Sequence, residues 1–370
     1  MKRKIILCSL LIAMCLMACG KKDNKVVKEK GSEVINQGNS KVIALISDYG
    51  NIDDKSFNEG TWNGVLDFAE IKGYEKTYYR ALFDADEERE KACKQAIEEG
   101  SDILVCPGTR FSSVIYDIQQ ESKQQILLID TEPKDIDGKV EINENVHCIL
   151  YKEEEVGYLA GYAAVMEGYR KLGFLGGMDF AAVNRYGYGF VQGAEAAAKE
   201  LKLAKNKVEI KFSYAGGFQP TTDLTRKVSK WYKDGTEVVF SCGGGIVYSV
   251  ISAASEDGDR KIIGVDCDQS AESEQIIFSA MKGLEQSVKD ALDKLHDNNG
   301  KWPETRAGKV ANLGVSEDCV GLSATKNSWR MKNYSIKDYN KTYNKMKKGE
   351  IKISGDKLPK LQYVSLKKLK

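Results

Sequence analysis

Carboxylates and glycines recur in this chain directly after short apolar runs. The first such stretch reads Ser47-Asp48-Tyr49-Gly50-Asn51-Ile52-Asp53-Asp54-Lys55-Ser56-Phe57-Asn58. Others end in Asp130, in Gly176-Gly177-Met178-Asp179, in Gly243-Gly244-Gly245 and in Asp266-Cys267-Asp268-Gln269. A carboxylate at such a place can accept hydrogen bonds from hydroxyl or N–H groups, and a glycine lets a ligand or backbone approach closely. One aspartate of this kind is more often a turn or a helix cap. Several that face one cleft weaken that reading. Other chemistry is sparse. His147 and His296 are the only histidines, and no Cys/His cluster has metal-ligand spacing. No Ser/His/Asp or Cys/His arrangement is evident. The residues point to binding through shape and hydrogen bonds, with no metal and no cofactor.

The elements that must position these residues alternate. Residues 41–47 (KVIALIS) form a near-continuous apolar run, as a strand covered on both faces requires. A helix over 54–70 follows, with Trp62, Val65, Leu66 and Ala69 on one face and Asp53 or Asp54 as cap. Strands at 77–83, 102–106, 125–130 and 146–151 alternate with helices at 84–99, 112–122 and 153–168. A second series has strands at 172–176, 208–214, 237–242, 261–265 and 276–280, with helices near 188–201, 222–232, 246–255 and 284–296. Alternation of this kind predicts parallel sheets with helices on both faces. In such sheets ligands bind at the carboxyl ends of the strands. Two series predict two lobes with a ligand between them.

The chain opens with Lys2, Arg3 and Lys4, then an apolar run to Ala18 that is too short to span a bilayer. Leu16-Met17-Ala18-Cys19 resembles a bacterial lipobox, which would make the Cys19 thiol the site of lipidation. Residues 20–40 are rich in Lys, Glu, Asn, Gly and Ser and read as a flexible tether. The protein is therefore expected to be exported and held on the outer face of the cell membrane by acyl chains. A formal net charge of +1 argues against a nucleic-acid partner. Cys106, Cys148, Cys242 and Cys267 sit in apolar, strand-like runs and read as buried free thiols. The expected organisation is a signal peptide at 1–18, a tether at 19–40, and two lobes. Lobe one covers 41–150 with a return segment near 270–300, and lobe two covers 151–269 with a C-terminal segment at 301–370.

The stretch Ala44 to Asn58 (ALISDYGNIDDKSFN), continuing to Trp62 and Gly64, resembles the opening motif of the basic membrane protein family. The similarity continues through Leu128-Ile129-Asp130, Gly173 to Asp179, Val239 to Gly245, Gly264 to Gln269, Ser279-Ala280-Met281-Lys282 and Trp302-Pro303. That family comprises exported lipoproteins, including bacterial purine nucleoside receptors that feed ABC transporters. The resemblance implies a type I periplasmic-binding-protein-like fold of two α/β lobes, each a doubly wound, mainly parallel sheet flanked by helices. It implies an ABC permease and ATPase as partners and a purine nucleoside as ligand. It places ligand contacts at Asp48, Phe57, Asn58, Asp130, Gly244, Asp266 and Lys282. Where the family commonly has a stacking phenylalanine after Gly-Gly-Met-Asp, this chain has Tyr186. A base held between Phe57 and Tyr186 is the resulting expectation, although Phe57 could instead be a core residue on the first helix. Two alternatives remain: a free sugar in the same fold, or a nucleoside hydrolase. The hydrolase motif would need a second aspartate two residues after Asp48, where this chain has Gly50.

Overall fold

The computed structural model describes residues 27–30, 40–256 and 258–369, the first group as backbone only. The leader, Cys19 and most of the tether lie outside these residues. Within the segment read as tether, β1 (Val27–Lys30) pairs antiparallel with β3 (Glu75–Arg80), so that part is a sheet edge.

The first sheet continues with β2 (Val42–Ser47), β4 (Ile103–Pro107), β5 (Gln125–Ile129) and β6 (Val146–Tyr151), in the order β1-β3-β2-β4-β5-β6. All but β1 run parallel. These strands are apolar nearly throughout because α1 (Phe57–Lys72), α2 (Asp86–Glu98) and α3 (Ser112–Glu121) cover both faces.

After α4 (Glu153–Glu167) a second sheet forms from β7 (Lys171–Gly176), β8 (Val208–Tyr214), β9 (Val238–Cys242), β10 (Lys261–Asp266) and β11 (Ile276–Lys282). The helices α5 (Ala181–Glu200), α6 (Thr222–Lys233) and α7 (Ile246–Ala254) connect them. The chain then returns through α8 (Leu284–Asp297), which packs on α1, to β12 (Lys309–Leu313), which closes the first sheet beside β6. It crosses back to β13 (Val320–Leu322), α9 (Ile336–Lys347) and β14 (Val364–Lys368), giving the order β13-β11-β10-β9-β7-β8-β14.

The lobe boundaries therefore differ from the sequence expectation. β11 lies in the second sheet, parallel to β10, and β12 lies in the first. The return segment is α8 to β12 rather than 270–300. A buried strand such as β11 needs ladder partners, and β10 supplies them within a short connection.

α5 also begins seven residues earlier than its periodicity indicates. Its glycines look like loop residues but serve a close crossing. A Cβ on Gly157 or Gly161 of α4 would lie 2.2 or 1.9 Å from the carbonyl oxygens of Tyr186 and Phe190. A Cβ on Gly189 or Gly193 of α5 would lie 2.1 or 1.9 Å from those of Glu154 and Tyr158. Backbone thus packs on backbone, which only glycine permits. This contact fixes the first turn of α4 beside the middle of α5.

Candidate functional site

The carboxyl ends of β2, β4 and β5 face those of β7, β9, β10 and β11 across a cavity of about 370 Å³. That volume falls in the range of small-molecule pockets. All eight ligand contacts expected from the sequence line it: Asp48, Phe57, Asn58, Asp130, Tyr186, Gly244, Asp266 and Lys282.

In its wall the Lys282 ammonium lies 2.7 Å from Asp130 Oδ2 and 3.0 Å from Glu153 Oε1. Arg185 Nε donates to Glu153 Oε2 at 2.6 Å, extending a chain of alternating charge behind the cavity. Burial opposes the charge on Lys282, but Asp130 and Glu153 hold its pKa above the usual lysine range. Burial pushes Asp130 up to about 6, with Lys282 drawing it down and Glu153 raising it. Its Oδ1 is buried without a hydrogen-bond partner among the described residues. An acceptor left open in a cavity wall is a place for a ligand donor.

Asp266 is fully engaged. Ser56 Oγ donates to its Oδ2 at 2.6 Å and Tyr186 Oη to its Oδ1 at 3.2 Å. Asp130 and Asp266 both take left-handed backbone angles, φ 65° and 62°. Non-glycine residues rarely adopt these, and they turn each carboxylate off the end of its strand.

Asp54 serves as the helix cap the sequence suggests, accepting from the N–H groups of Ser56, Asn58 and Glu59 at 2.9–3.1 Å. It also lines the cavity, where burial raises its pKa to about 7 against those three donors. Asp48 accepts from Gly50 N at 2.8 Å, and Asn58 Nδ2 donates to Asn51 O at 3.2 Å, which folds the loop after β2 against α1. Gly244, at φ 49°, brings the turn after β9 close to the same place: an added Cβ would sit 3.7 Å from Asp54 Oδ2.

Phe57 is half-buried at the first turn of α1, with Lys282 Nζ 5.0 Å from its ring centroid. Tyr186 departs from the expectation of an open stacking face. It is 2 % exposed, packed edge-on against Phe240, with its hydroxyl turned to Asp266. Placed within α5 rather than before it, the side chain points into the core. The half-buried aromatics of the second lobe that line the cavity are Phe180 and Phe218, whose rings lie 6.0 Å apart.

Sequence reading missed Glu153, Arg185 and Arg110. Three successive glutamates at 153–155 look like an ordinary acidic first turn. Nothing in Pro107-Gly108-Thr109-Arg110 marks a cavity residue. Among the described residues, no group of three or more His, Cys, Asp or Glu could hold a metal ion.

The lobes touch directly at several points. Gln269 Nε2 donates to Lys55 O at 3.0 Å, and Cys267 Sγ to Ser56 O at 3.2 Å. Among the described residues three chain crossings join them, at residues 151–153, 282–284 and 313–315, and all converge on the start of α4. There Val315 N donates to Glu155 Oε2 at 2.6 Å and Lys152 N to Leu313 O at 2.9 Å.

Two mainly parallel-sheet lobes, a triple crossing and a cavity between them lined by charged and aromatic side chains define a type I periplasmic-binding-protein-like fold. An ABC transporter solute-binding protein from Aeropyrum pernix K1 has the same fold, with a TM-score of 0.71 and 20% identity over 86% of this chain and 94% of that one. The family model of the PnrA-like ABC transporter substrate-binding proteins, Bmp, matches residues 40–357, and the chain belongs to that family. Basic membrane protein A of Borreliella afzelii is 30% identical, covering 76% of this chain and 82% of its own. The ABC transporter nucleoside-binding protein BmpA of Lactococcus lactis subsp. cremoris is 26% identical, covering 75% and 80%.

Proposed function

We propose that this protein is a lipid-anchored receptor that closes on a purine nucleoside and delivers it to an ABC permease and its ATPase on the outer face of the cell membrane. The observation that carries the reading is the cavity wall itself. A half-buried aromatic ring, Phe57, stands beside buried carboxyl groups, and one oxygen of Asp130 lacks a donor among the described residues. An aromatic face suits a base, and the carboxyl groups suit ribose hydroxyls and base N–H groups. The nucleoside-binding relative in Lactococcus supports the same ligand class. The cleft residues act through shape and hydrogen bonds, and the protein is not an enzyme. Anchoring would be through Cys19, after removal of residues 1–18.

Calorimetry against a panel of inosine, guanosine, adenosine, cytidine and free ribose tests the ligand. Purine nucleosides should bind, ribose should not compete, and incubation with inosine should release no free base. Binding of ribose alone would move the reading to a sugar receptor, and release of base would move it to a hydrolase. Cys19→Ala should shift the protein from the membrane to the soluble fraction. Unchanged membrane association would refute the anchor.

A further inference from the structure

The cavity has five carboxyl groups, Asp48, Asp54, Asp84, Asp130 and Asp266, and among its described residues only two cations, Lys282 and Arg110. Lys282 is buried and committed to Asp130 and Glu153. Arg110 stands on the turn after β4, with its side chain 15% exposed. Its Nη1 pairs with Asp84 Oδ1, its Nη2 lies 2.7 Å from Met178 Sδ, and its guanidinium carbon is 5.6 Å from the Phe180 ring centroid. It therefore reaches from the first lobe to the second with its charge already matched. Asp84 also accepts from Arg89 Nη1 at 2.9 Å, but Arg89 has a second carboxylate, Asp86, at 2.6 Å. Among the described residues Arg110 has no such second anion in contact.

We propose that Asp84 is a specificity-determining residue that keeps phosphorylated ligands out by neutralising Arg110. This rests on the nucleoside reading above. A phosphate entering a cavity rich in carboxyl groups needs a guanidinium to meet it, because a desolvated anion without a partner is costly. Arginine offers the fork that phosphate prefers, yet here the fork is occupied. The neutral nucleoside needs no such partner. The cleft thus discriminates by charge as well as by shape.

Asp84→Asn tests this, since asparagine keeps the shape and an acceptor for Arg89 while removing the negative charge from Arg110. The readout is the ratio of affinities for inosine 5′-monophosphate and inosine, measured by calorimetry. In the unaltered protein the monophosphate should bind at least about tenfold more weakly than inosine. In the variant the ratio should shift toward the monophosphate by about tenfold, the worth of one charge-assisted hydrogen bond. Adding Arg110→Gln should erase the shift. Asp84→Ser serves if the asparagine variant fails to fold. A thermal-shift series with inorganic phosphate alone gives a second arm: phosphate should raise the melting temperature of the Asp84 variant more than that of the unaltered protein. Monophosphate bound as tightly as inosine by the unaltered protein would overturn the inference. So would an Asp84 variant that gains nothing toward either phosphate probe. If the unaltered protein binds no inosine, the nucleoside reading fails, and the inorganic phosphate arm alone decides the role of Asp84.

Discussion

Phe57→Ala separates the two roles open to the first aromatic of α1. The ring is half-buried, faces the cavity and lies 5.0 Å from Lys282 Nζ. Its near neighbour on the first lobe is Gly108, which has no side chain to fill the space if the ring is removed. A base stacked on this ring gains about 1–3 kcal/mol, so truncation should weaken purine nucleoside binding by roughly 5- to 150-fold. Because the lost surface is partly the cavity wall and not the sheet interior, the empty protein should keep most of its melting temperature. A core phenylalanine would instead cost about 3–5 kcal/mol of stability. Titration calorimetry with inosine and thermal denaturation of the empty protein read both quantities. Phe57→Leu adds a control, restoring bulk without a π face, and should recover little affinity. A sharply lower melting temperature with nucleoside affinity intact would refute the stacking role and return Phe57 to the core.

Lys282→Met should destabilise the protein by about 3–5 kcal/mol at neutral pH, because it leaves Asp130 and Glu153 facing each other without their shared cation. Denaturant titrations should show the loss shrinking as pH falls toward 6, because without Lys282 drawing it down Asp130 takes up its proton above that value; a loss independent of pH would refute the arrangement. Asp54 is raised from 3.8 to about 7, so its contribution to stability is fully present below about pH 4 and is lost as pH rises through 7. Asp54→Asn should therefore flatten the stability profile between pH 4 and 7, and an unchanged slope would count against burial as the cause. Gly161→Ala would place a methyl 1.9 Å from Phe190 O. Despite the better helix propensity of alanine, we expect at least about 2 kcal/mol of destabilisation on denaturation, and a neutral result would mean the α4–α5 crossing is looser than described.

Much of this protein is legible along the chain because its signals are local. The apolar runs of β2, β4 and β9 announce strands covered on both faces, and the strand-end aspartates announce where polar groups collect. Asp54 reads as a cap because a cap is made with neighbours four and five residues away. The position of the cavity follows from the general rule that parallel strands present their carboxyl ends to ligands. What the sequence could not decide depends on partners distant in the chain. Whether Tyr186 stacks or packs is settled by where α5 begins, and that depends on four glycines meeting another helix at backbone distance. Glu153 and Arg185 gain their place behind the cavity from the same crossing. The membership of β11 and β12 in opposite sheets follows from which ladder can satisfy their backbone, not from their own composition. Lys282 is 152 residues from Asp130, so its pairing exists only once both lobes have formed. Local periodicity and capping determine elements. Hydrogen-bond ladders, close backbone packing and buried charge pairing are contacts at long range, and only the tertiary structure decides them.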